Sequence, residues 1–165
     1  MTVIAYKDGH IACDSCWSDD GLLFSSATKI IRLPHDKLYG ASGDSDDRAL
    51  LDLVRGASTP HELPSRQQLE ELNTDMSALV IFYNKHIIYR GIPRVFILDC
   101  VKNSDKYEPS GVTEVNLPFT AIGSGRQIAI GAMAAGASAV AAVHLACDWN
   151  VYCRPPVHSL KAFEV

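Results

Sequence analysis

Residues 2–15 read Thr2-Val-Ile-Ala-Tyr-Lys-Asp-Gly-His-Ile-Ala-Cys-Asp14-Ser15. Two short runs of β-type residues, 2–6 and 10–14, lie on either side of Asp8-Gly9. Asp-Gly between two such runs is a strong signal for a tight β-hairpin. The stretch therefore predicts a hairpin that holds the start of the chain in a sheet.

Thr2 directly follows the initiator Met1. A threonine hydroxyl is a weak nucleophile unless a base activates it. Removal of Met1 would give Thr2 a free α-amine, whose reference pKa of about 7.7–8 suits a general base at neutral pH. Nucleophile and base would then belong to one residue.

The first half of the remaining chain predicts strands followed by helices. A strand pair is expected over 29–33 and 37–41, with Lys29 at its head. A helix opens at 42–47 with Ser or Asp as its cap and ends at Gly56, and Ser65 with Gln68 has the spacing of a capping box that starts a second, short helix.

The second half repeats that order. Three β-rich runs cover 79–83, 86–90 and 94–99, an irregular surface loop follows over 101–116, and a strand covers 119–122. Ser124 and Gln127 again have capping-box spacing for a helix to Gly136, and Ser138 caps a helix to about Cys147. Closing strands are expected at 151–152 and 157–163. Strands, two helices, strands, two helices and strands predict one α+β domain over 1–165, a four-layer αββα sandwich of two antiparallel sheets flanked by helix pairs.

Composition excludes several classes of protein. The 165 residues are 47% hydrophobic and 21% charged, and the net charge of −4 offers no basic footprint for nucleic acid. Lys7 and Asp8 interrupt any secretory signal, and the uncharged stretch 128–147 is too rich in Ala and Gly for a membrane span. A cytoplasmic protein that binds neither nucleic acid nor membrane is expected.

Five cysteines, an odd number, favour reduced thiols. Cys13 and Cys16 form a C-x-x-C, which admits a redox pair or half a zinc site. No second C-x-x-C follows, since five residues separate Cys147 from Cys153. Buried or surface thiols are therefore the expected reading, with no metal and no cofactor.

Four motifs in order resemble the proteasome β-subunit family, and within it the bacterial HslV-type peptidases. They are the N-terminal hairpin with Asp14-Ser15, the strand Ala27-Thr-Lys29-Ile30, the turn Gly40-Ala-Ser-Gly43-Asp44, and Ala121-Ile-Gly-Ser124-Gly125. The resemblance extends from residue 2 to about 157. It implies an N-terminal nucleophile (Ntn) hydrolase fold.

The resemblance also implies catalytic roles. Thr2 would attack the peptide carbonyl, Lys29 would lie beside its hydroxyl and favour the neutral amine, and Asp14 would pair with and orient that lysine. Gly43 matches the glycine whose N–H points into the oxyanion hole. Ser124 matches a serine near the reactive amine.

Asp148 aligns loosely with the family aspartate that supports this serine, and an ordinary acidic residue at the end of a helix is the alternative interpretation. The implied protein is a threonine endopeptidase that cleaves unfolded protein or peptide inside a homo-oligomeric ring and is fed by an AAA+ unfoldase. The alternative is a catalytically inactive proteasome-fold scaffold or assembly protein, since a retained Met1 would block the base and the segment before Ser77 is shorter than the family shows. An amidohydrolase acting on a small amide would share the same nucleophile.

Overall fold

The computed structural model describes residues 2–19, 22–25, 29–43, 47–88, 91–102 and 110–163. The chain forms two compact units, one of Met1–Ile31 with Leu117–Val165 and one of Arg32–Asn116. The first contains β1 Val3–Lys7, β2 His10–Cys13, β3 Cys16–Asp19, β4 Leu22–Ser25, β10 Phe119–Gly123, α3 Arg126–Ala134, α4 Ala139–Trp149 and β11 His158–Lys161. The second contains β6 Lys37–Gly43, α1 Arg48–Gly56, a 3-10 turn Pro60–Glu62, α2 Arg66–Glu71, β7 Met76–Phe82, β8 Arg94–Cys100 and β9 Gly111–Val115. Strand β5, Ile30–Leu33, starts at the boundary and belongs to the sheet of the second unit.

The first unit is built on an antiparallel sheet of order β10-β1-β2-β11. The predicted hairpin is confirmed: β1 and β2 pair from Ile4↔Cys13 to Lys7↔His10. The turn residues Asp8 and Gly9 have φ of 50° and 77°, as a two-residue hairpin turn requires. Strands β3 and β4 form a separate two-stranded sheet, which the sequence analysis missed.

Helices α3 and α4 cover one face of this sheet. Their core is made largely of small side chains, because Ala129, Ala142 and Ala146 pack with Val3 and Ala5 of β1. Such side chains let helix and strand backbones approach closely. The predicted pair of helices joined at Gly136 is confirmed, and Gly136 has a φ of 102° that favours glycine.

A lysine from a strand closes the end of a helix in each unit. Lys7 Nζ donates to the carbonyls of Met133 at 3.0 Å and Ala137 at 2.9 Å, at the end of α3. Lys37 is fully buried, and its Nζ donates to the carbonyls at the end of α1: Val54 at 2.7 Å, Arg55 at 3.2 Å, and Ala57. Each cation lies at the negative end of the helix dipole, beside the last carbonyls of the helix.

The second unit has an antiparallel sheet of order β5-β6-β7-β8-β9. Strand β9 pairs with β8 from Val95↔Val115 to Asp99↔Gly111, so the predicted loop over 101–116 is wrong for 111–115. The predicted strand 86–90 is also wrong where it is described, because 85–87 form a turn. In the first unit, 151–152 form a turn instead of a strand, whereas β11 confirms the closing strand.

The predicted helix caps meet mixed outcomes. The capping box of Ser65 and Gln68 is confirmed, and Ser138 caps α4 by accepting from the Ala141 N–H at 3.2 Å. The predicted capping box of Ser124 is wrong, because α3 has Gly125 at its N-cap and no side-chain cap. Asp47 at the N-cap of α1 makes no capping bond either, and residues 44–46 lie outside the described part of the chain.

The α+β class is confirmed: the described residues form two large antiparallel sheets, the two-stranded sheet of β3 and β4, and four α-helices. That residues 1–165 form a single domain stays a prediction. Among the helices of the described ranges, none has both the length and the apolar character that crossing a bilayer requires.

Candidate active site

Thr2 directly precedes β1, and two neighbouring segments of the chain approach it there. Because β1 pairs with β2 through a two-residue turn, the residue before β1 faces the residues after β2, and the Asp14 N–H donates to the Val3 carbonyl at 3.2 Å. Because β1 also pairs with β10 up to Val3↔Gly123, the next residue along, Ser124, meets Thr2. The sheet alone therefore assembles Thr2, Asp14 and Ser124.

The Thr2 hydroxyl lies in a buried ionic environment. Its Oγ1 donates to Asp14 Oδ1 and accepts a hydrogen bond from Lys29 Nζ. Lys29 Nζ lies 3.0 Å from Asp14 Oδ1 and also donates to the Cys16 carbonyl. Thr2 is 2% exposed, the Asp14 side chain 0% and the Lys29 side chain 11%. The three residues to which the family resemblance assigns joint catalytic roles are thus in direct contact.

Asp14 accepts hydrogen bonds from both side chains and backbone groups of the site. Besides Thr2 and Lys29, its Oδ1 accepts from the Val3 N–H at 2.9 Å. Its Oδ2 accepts from the N–H groups of Cys16 at 3.0 Å and Arg154 at 3.1 Å. A carboxylate can be buried when donors meet its lone pairs in this way. The Asp14 carboxylate therefore binds three parts of the chain: the residues at the start of β1, the first residue of β3 and the segment after α4.

Ser124 binds the backbone of Thr2 instead of capping α3. Its Oγ donates to the Thr2 carbonyl at 3.1 Å, and the Gly125 N–H donates to the same oxygen at 3.2 Å. Gly125 cannot carry a side chain, because a Cβ there would lie 2.8 Å from Cys153 Sγ and 2.9 Å from Val3 Cβ. The Gly123-Ser124-Gly125 turn is consequently the second support of the candidate nucleophile.

Asn150 is a residue that the sequence analysis missed. Its Nδ2 donates to the Ser124 carbonyl at 3.0 Å, and its Oδ1 accepts from the Tyr152 N–H at 2.9 Å. Asp148, which aligns loosely with the residue that supports the serine, is exposed on α4, and Asn150 makes the contact with Ser124. The signal that could have found it is an Asn directly after a helix, a residue type that bonds to turns.

Ser15 ties the same segment to the hairpin. It is fully buried, its N–H donates to the Arg154 carbonyl at 2.9 Å, and its hydroxyl donates to the Pro156 carbonyl at 2.6 Å. Together with the bond from the Arg154 N–H to Asp14, these contacts hold residues 150–156 against the site. Both residues of the Asp14-Ser15 motif therefore have a structural role, because each one binds the segment 150–156.

Cysteines surround the site but are poor nucleophiles. All five thiols are free. Burial, with a contribution from the Asp14 charge, raises the pKa of Cys147 to about 12. Burial and Asp14 likewise raise the pKa of Cys153 to about 11, although a hydrogen bond with Ser124 opposes the rise. Burial also raises the pKa of Cys13. These thiols stay protonated at neutral pH, and the reactive form of cysteine is the thiolate.

The C-x-x-C cysteines are both buried free thiols. Among the residues that the structure describes, no group of three or more His, Cys, Asp or Glu side chains is arranged to hold a metal ion. The expected burial of Cys13 and Cys16 is confirmed, and their lack of a metal or redox role stays a prediction.

Gly43 lies in the second unit, at the end of β6, where it pairs with Met76. Its φ is 139°, and a Cβ there would lie 2.3 Å from the Asp75 carbonyl oxygen. Both features allow only glycine, so the residue has a structural reason of its own. Its predicted place in an oxyanion hole stays a prediction.

Comparison with known proteins adds the class of fold. No protein-family model matches the chain, and no curated protein matches it. A solved structure of BPH, a bacterial proteasome homologue from Thiobacillus denitrificans, in complex with epoxomicin is 21% identical with a TM-score of 0.63, over 99% of each chain. A second structure of Thiobacillus denitrificans BPH gives the same identity and TM-score over 96% of this chain and 95% of that one.

The chain has a proteasome-like fold. The sandwich class expected from the sequence is confirmed by this likeness, which runs the whole length of the chain.

Proposed function

We propose that this protein is a threonine endopeptidase whose nucleophile is the Thr2 hydroxyl, exposed as an N-terminal residue by removal of Met1. The observation that carries the proposal is the contact of Thr2 Oγ1 with both Lys29 Nζ and Asp14 Oδ1. Removing an ammonium and a carboxylate from water costs free energy, and a threonine with only a structural role does not require either charge beside it. Nucleophilic catalysis by Thr2 accounts for this pair of buried charges.

The chemistry follows from one proton acceptor. The freed α-amine takes the proton of the Thr2 hydroxyl as its oxygen attacks the scissile carbonyl, and the resulting ammonium gives that proton to the leaving amine. The product of this half is an acyl-enzyme ester on Thr2. Water, deprotonated by the same amine, attacks the ester, and the proton returns to the Thr2 oxygen as the acid product leaves.

Lys29 and Asp14 act on this cycle through charge. An ammonium next to the α-amine favours the neutral, basic form of that amine. The same ammonium donates to Thr2 Oγ1 and would stabilise negative charge developing on this oxygen. Asp14 holds Lys29 at 3.0 Å and is itself held by three backbone N–H groups, so the cation is positioned before the substrate arrives. As the oxyanion donor, the proposal keeps the Gly43 N–H, which the family resemblance implies.

The wider biology is part of the same proposal. It comprises an HslV-like homo-oligomeric ring in the cytoplasm, unfolded protein or peptide as substrate, and an AAA+ unfoldase as partner. The proteasome-like fold supports the ring. BPH was solved with epoxomicin, and epoxomicin is accordingly the first ligand to try on this chain.

The test compares Thr2→Ala and Thr2→Ser with the parent protein, using small fluorogenic peptides and the mass of the intact chain. The expected result is a parent chain lacking Met1 that turns over peptide and retains epoxomicin. Thr2→Ala should lose turnover by about 10³-fold or more while staying folded, and Thr2→Ser should retain part of it. Full activity of Thr2→Ala would refute the proposal.

The second candidate, a catalytically inactive scaffold with this fold, keeps Met1. It predicts the full-length mass, no turnover and no effect of Thr2→Ala on assembly. If the protein is instead an amidohydrolase with the same nucleophile, the intact chain would also lack Met1, but it would cleave a small amide and not peptides.

A further inference from the structure

The residues that follow the Met1–Thr2 peptide bond are buried in the folded chain. Thr2 is 2% exposed, and Val3 and Ile4 are fully buried. Val3 packs in the core of the first unit and pairs with Gly123 of β10. The bond that must be hydrolysed to free the Thr2 amine is therefore followed at once by core residues.

Hydrogen bonds hold the backbone and the side chain of these first residues. The Thr2 carbonyl accepts from Ser124 Oγ at 3.1 Å and from the Gly125 N–H at 3.2 Å. The Val3 N–H donates to Asp14 Oδ1 at 2.9 Å, and the Val3 carbonyl accepts from the Asp14 N–H at 3.2 Å. The Thr2 hydroxyl makes two further hydrogen bonds, with the buried carboxylate and ammonium. Six hydrogen bonds must consequently break before residues 2 and 3 can leave the fold.

These bonds oppose the action of an aminopeptidase on the folded chain. Such an enzyme has to hold the first residues of its substrate in its own active site, with the reacting atoms about 3–3.5 Å apart. A folded chain reaches that geometry only through a transiently opened state, so the rate of cleavage follows the population of that state. Each hydrogen bond that must break lowers the population about two- to tenfold. Six bonds should therefore slow cleavage by a factor of at least about 10².

Some of the residues that hold Thr2 are synthesised long after it. Ser124 lies 122 residues further along the chain, and ribosomes add about 5–20 residues per second, so roughly 6–24 s separate the two residues. The hairpin of β1 and β2 forms earlier, but a two-stranded hairpin alone is at best marginally stable in water. The start of the chain is therefore accessible during this interval and becomes enclosed when β10 pairs with β1.

We propose that hydrolysis of the Met1–Thr2 bond competes with folding of the first unit, and that a chain that folds with Met1 in place is no longer a substrate for aminopeptidases. The reaction that supplies the active protein is hydrolysis by a methionine aminopeptidase acting on the unfolded start of the chain. Water adds across the peptide bond, free methionine leaves with the new carboxylate, and Thr2 keeps the new α-amine.

Folding then divides newly made chains into an active form with a free Thr2 and a blocked form that keeps Met1. This inference rests on the proposed function, which makes the free amine the active form. Its tests measure the mass of the chain and not its activity, so the two proposals can fail separately.

The first experiment compares a folded and an unfolded substrate of a purified methionine aminopeptidase. The folded substrate is the chain that retains Met1, purified from cells in which the aminopeptidase was inhibited. The unfolded substrate is a synthetic peptide of residues 1–15. Mass spectrometry of the intact molecules follows the loss of methionine, which should be at least about 10²-fold slower for the folded chain. A smaller ratio overturns the proposal.

The second experiment tests the timing. The full chain is translated in a cell-free system of purified components without aminopeptidase, and the enzyme is added either at the start or after synthesis has stopped. Early addition should give chains that lack Met1, and late addition should give chains that keep it. The peptide of residues 1–15, added together with the late enzyme, shows that the enzyme is active. Equal removal of Met1 in the two reactions overturns the proposal.

The third experiment loosens the enclosure of the folded Met1 form. Gly125→Ala should speed the loss of methionine at least tenfold, because its Cβ would lie 2.9 Å from Val3 Cβ and displace the start of β1. The matched control is Gly131→Ala in α3, where a Cβ would meet no neighbouring atom within 4 Å and the rate should stay unchanged. Circular dichroism shows whether both variants are folded.

Ser124→Ala is the milder variant in case Gly125→Ala does not fold. It removes one of the two hydrogen bonds to the Thr2 carbonyl and should speed the loss of methionine about two- to tenfold. A rate equal to that of the parent in every folded variant of these two overturns the proposal.

Self-cleavage is the competing route to a free Thr2. Thr2→Ala keeps a small second residue for the aminopeptidase but lacks the hydroxyl that could attack the preceding bond. Retention of Met1 by the folded parent and by Thr2→Ala, both without added enzyme, supports the proposal. Loss of Met1 from the parent alone shows that the Thr2 hydroxyl cleaves the bond and overturns it.

The outcomes separate this inference from the proposed function. A folded chain that loses Met1 readily refutes this order of events and leaves Thr2 as the nucleophile. Full peptide turnover by Thr2→Ala refutes the proposed function and leaves the mass measurements as they are.

Discussion

The Lys29 ammonium lies 3.0 Å from Asp14 Oδ1 and also donates to the Thr2 hydroxyl, so one cation joins a buried carboxylate to the candidate nucleophile. The two partners depend on each other to different degrees. Asp14 accepts from three backbone N–H groups that do not involve Lys29, whereas the ammonium faces the Asp14 charge directly. Their removal should consequently have different effects on folding and on activity.

Asp14→Asn should destabilise the protein by about 3–5 kcal/mol, because it takes away the charge that faces a nearly buried ammonium. It should also abolish peptide turnover. Urea denaturation of Asp14→Asn, and of the double variant that also carries Lys29→Met, tests whether the unpaired ammonium causes this loss of stability. The double variant should recover part of the loss, and a double variant less stable than Asp14→Asn would contradict this account.

Lys29→Ala should lower kcat by about 10²–10³-fold, the range expected when a charge that stabilises the reacting oxygen is removed. Its free energy of unfolding should fall by less than that of Asp14→Asn, since the carboxylate keeps its backbone donors. Steady-state kinetics and urea denaturation of the same preparation make the comparison. Equal destabilisation by the two variants would contradict the claim that Lys29 depends on Asp14 more than Asp14 depends on Lys29.

Ser124→Ala should have a moderate effect, because the Thr2 carbonyl keeps the hydrogen bond from the Gly125 N–H. Loss of one hydrogen bond with a second donor in place costs about 1 kcal/mol, equivalent to roughly a fivefold change in rate. The effect is measured as the rate of peptide turnover per active site, with the concentration of active sites determined by titration with epoxomicin. A loss as large as that of Thr2→Ala would make Ser124 a catalytic residue in its own right.

Alkylation at pH 7.5 should leave peptide turnover unchanged, because the pKa values of Cys147 and Cys153 are about 12 and 11 and their thiols stay protonated. Iodoacetamide should modify these thiols readily only in urea, where they regain ordinary pKa values. Peptide mapping by mass spectrometry with residual turnover gives the readout. Rapid inactivation that follows modification of Cys153 would favour a cysteine nucleophile.

Lys37 should make the pH dependence of stability measurable. Burial lowers its pKa in the folded protein, although Glu62 partly opposes the shift. Between that lowered value and the unfolded value of about 10.4, the unfolded chain holds the extra proton, so this residue makes folding more favourable as pH rises. The raised pKa values of Cys147 and Cys153 act in the opposite direction above about pH 9.

The difference between parent and Lys37→Met in the free energy of unfolding isolates the lysine from the thiols. It should grow in favour of the parent as pH rises from the lowered pKa of Lys37 toward the unfolded value of about 10.4. A difference that is flat over this range would contradict the buried position of the ammonium.

Local signals explain what the sequence could predict. Asp8-Gly9 fixes a two-residue turn, and the turn alone places Asp14 against the start of β1. Ser65 with Gln68 and Ser138 cap helices through bonds that span three residues. Such contacts need no knowledge of the rest of the chain.

The features that were missed depend on distant partners. Ser124 has the same spacing to Gln127 as a capping box, but the pairing of β1 with β10 brings the Thr2 carbonyl within reach of its hydroxyl. Asn150 reaches the Ser124 carbonyl across 26 residues. Strand β9 has mostly exposed side chains and becomes a strand only because β8 lies beside it. The family resemblance supplied Lys29, which periodicity alone would leave as a surface lysine.

The α-amine of Thr2 is the central claim, and it can be tested on one protein in two covalent forms. One preparation carries a free Thr2, verified by intact mass, and the other retains Met1 because the methionine aminopeptidase of the expressing cell was inhibited. The account predicts peptide turnover and epoxomicin binding in the first form and neither in the second. Equal kcat/KM for the two forms would contradict it.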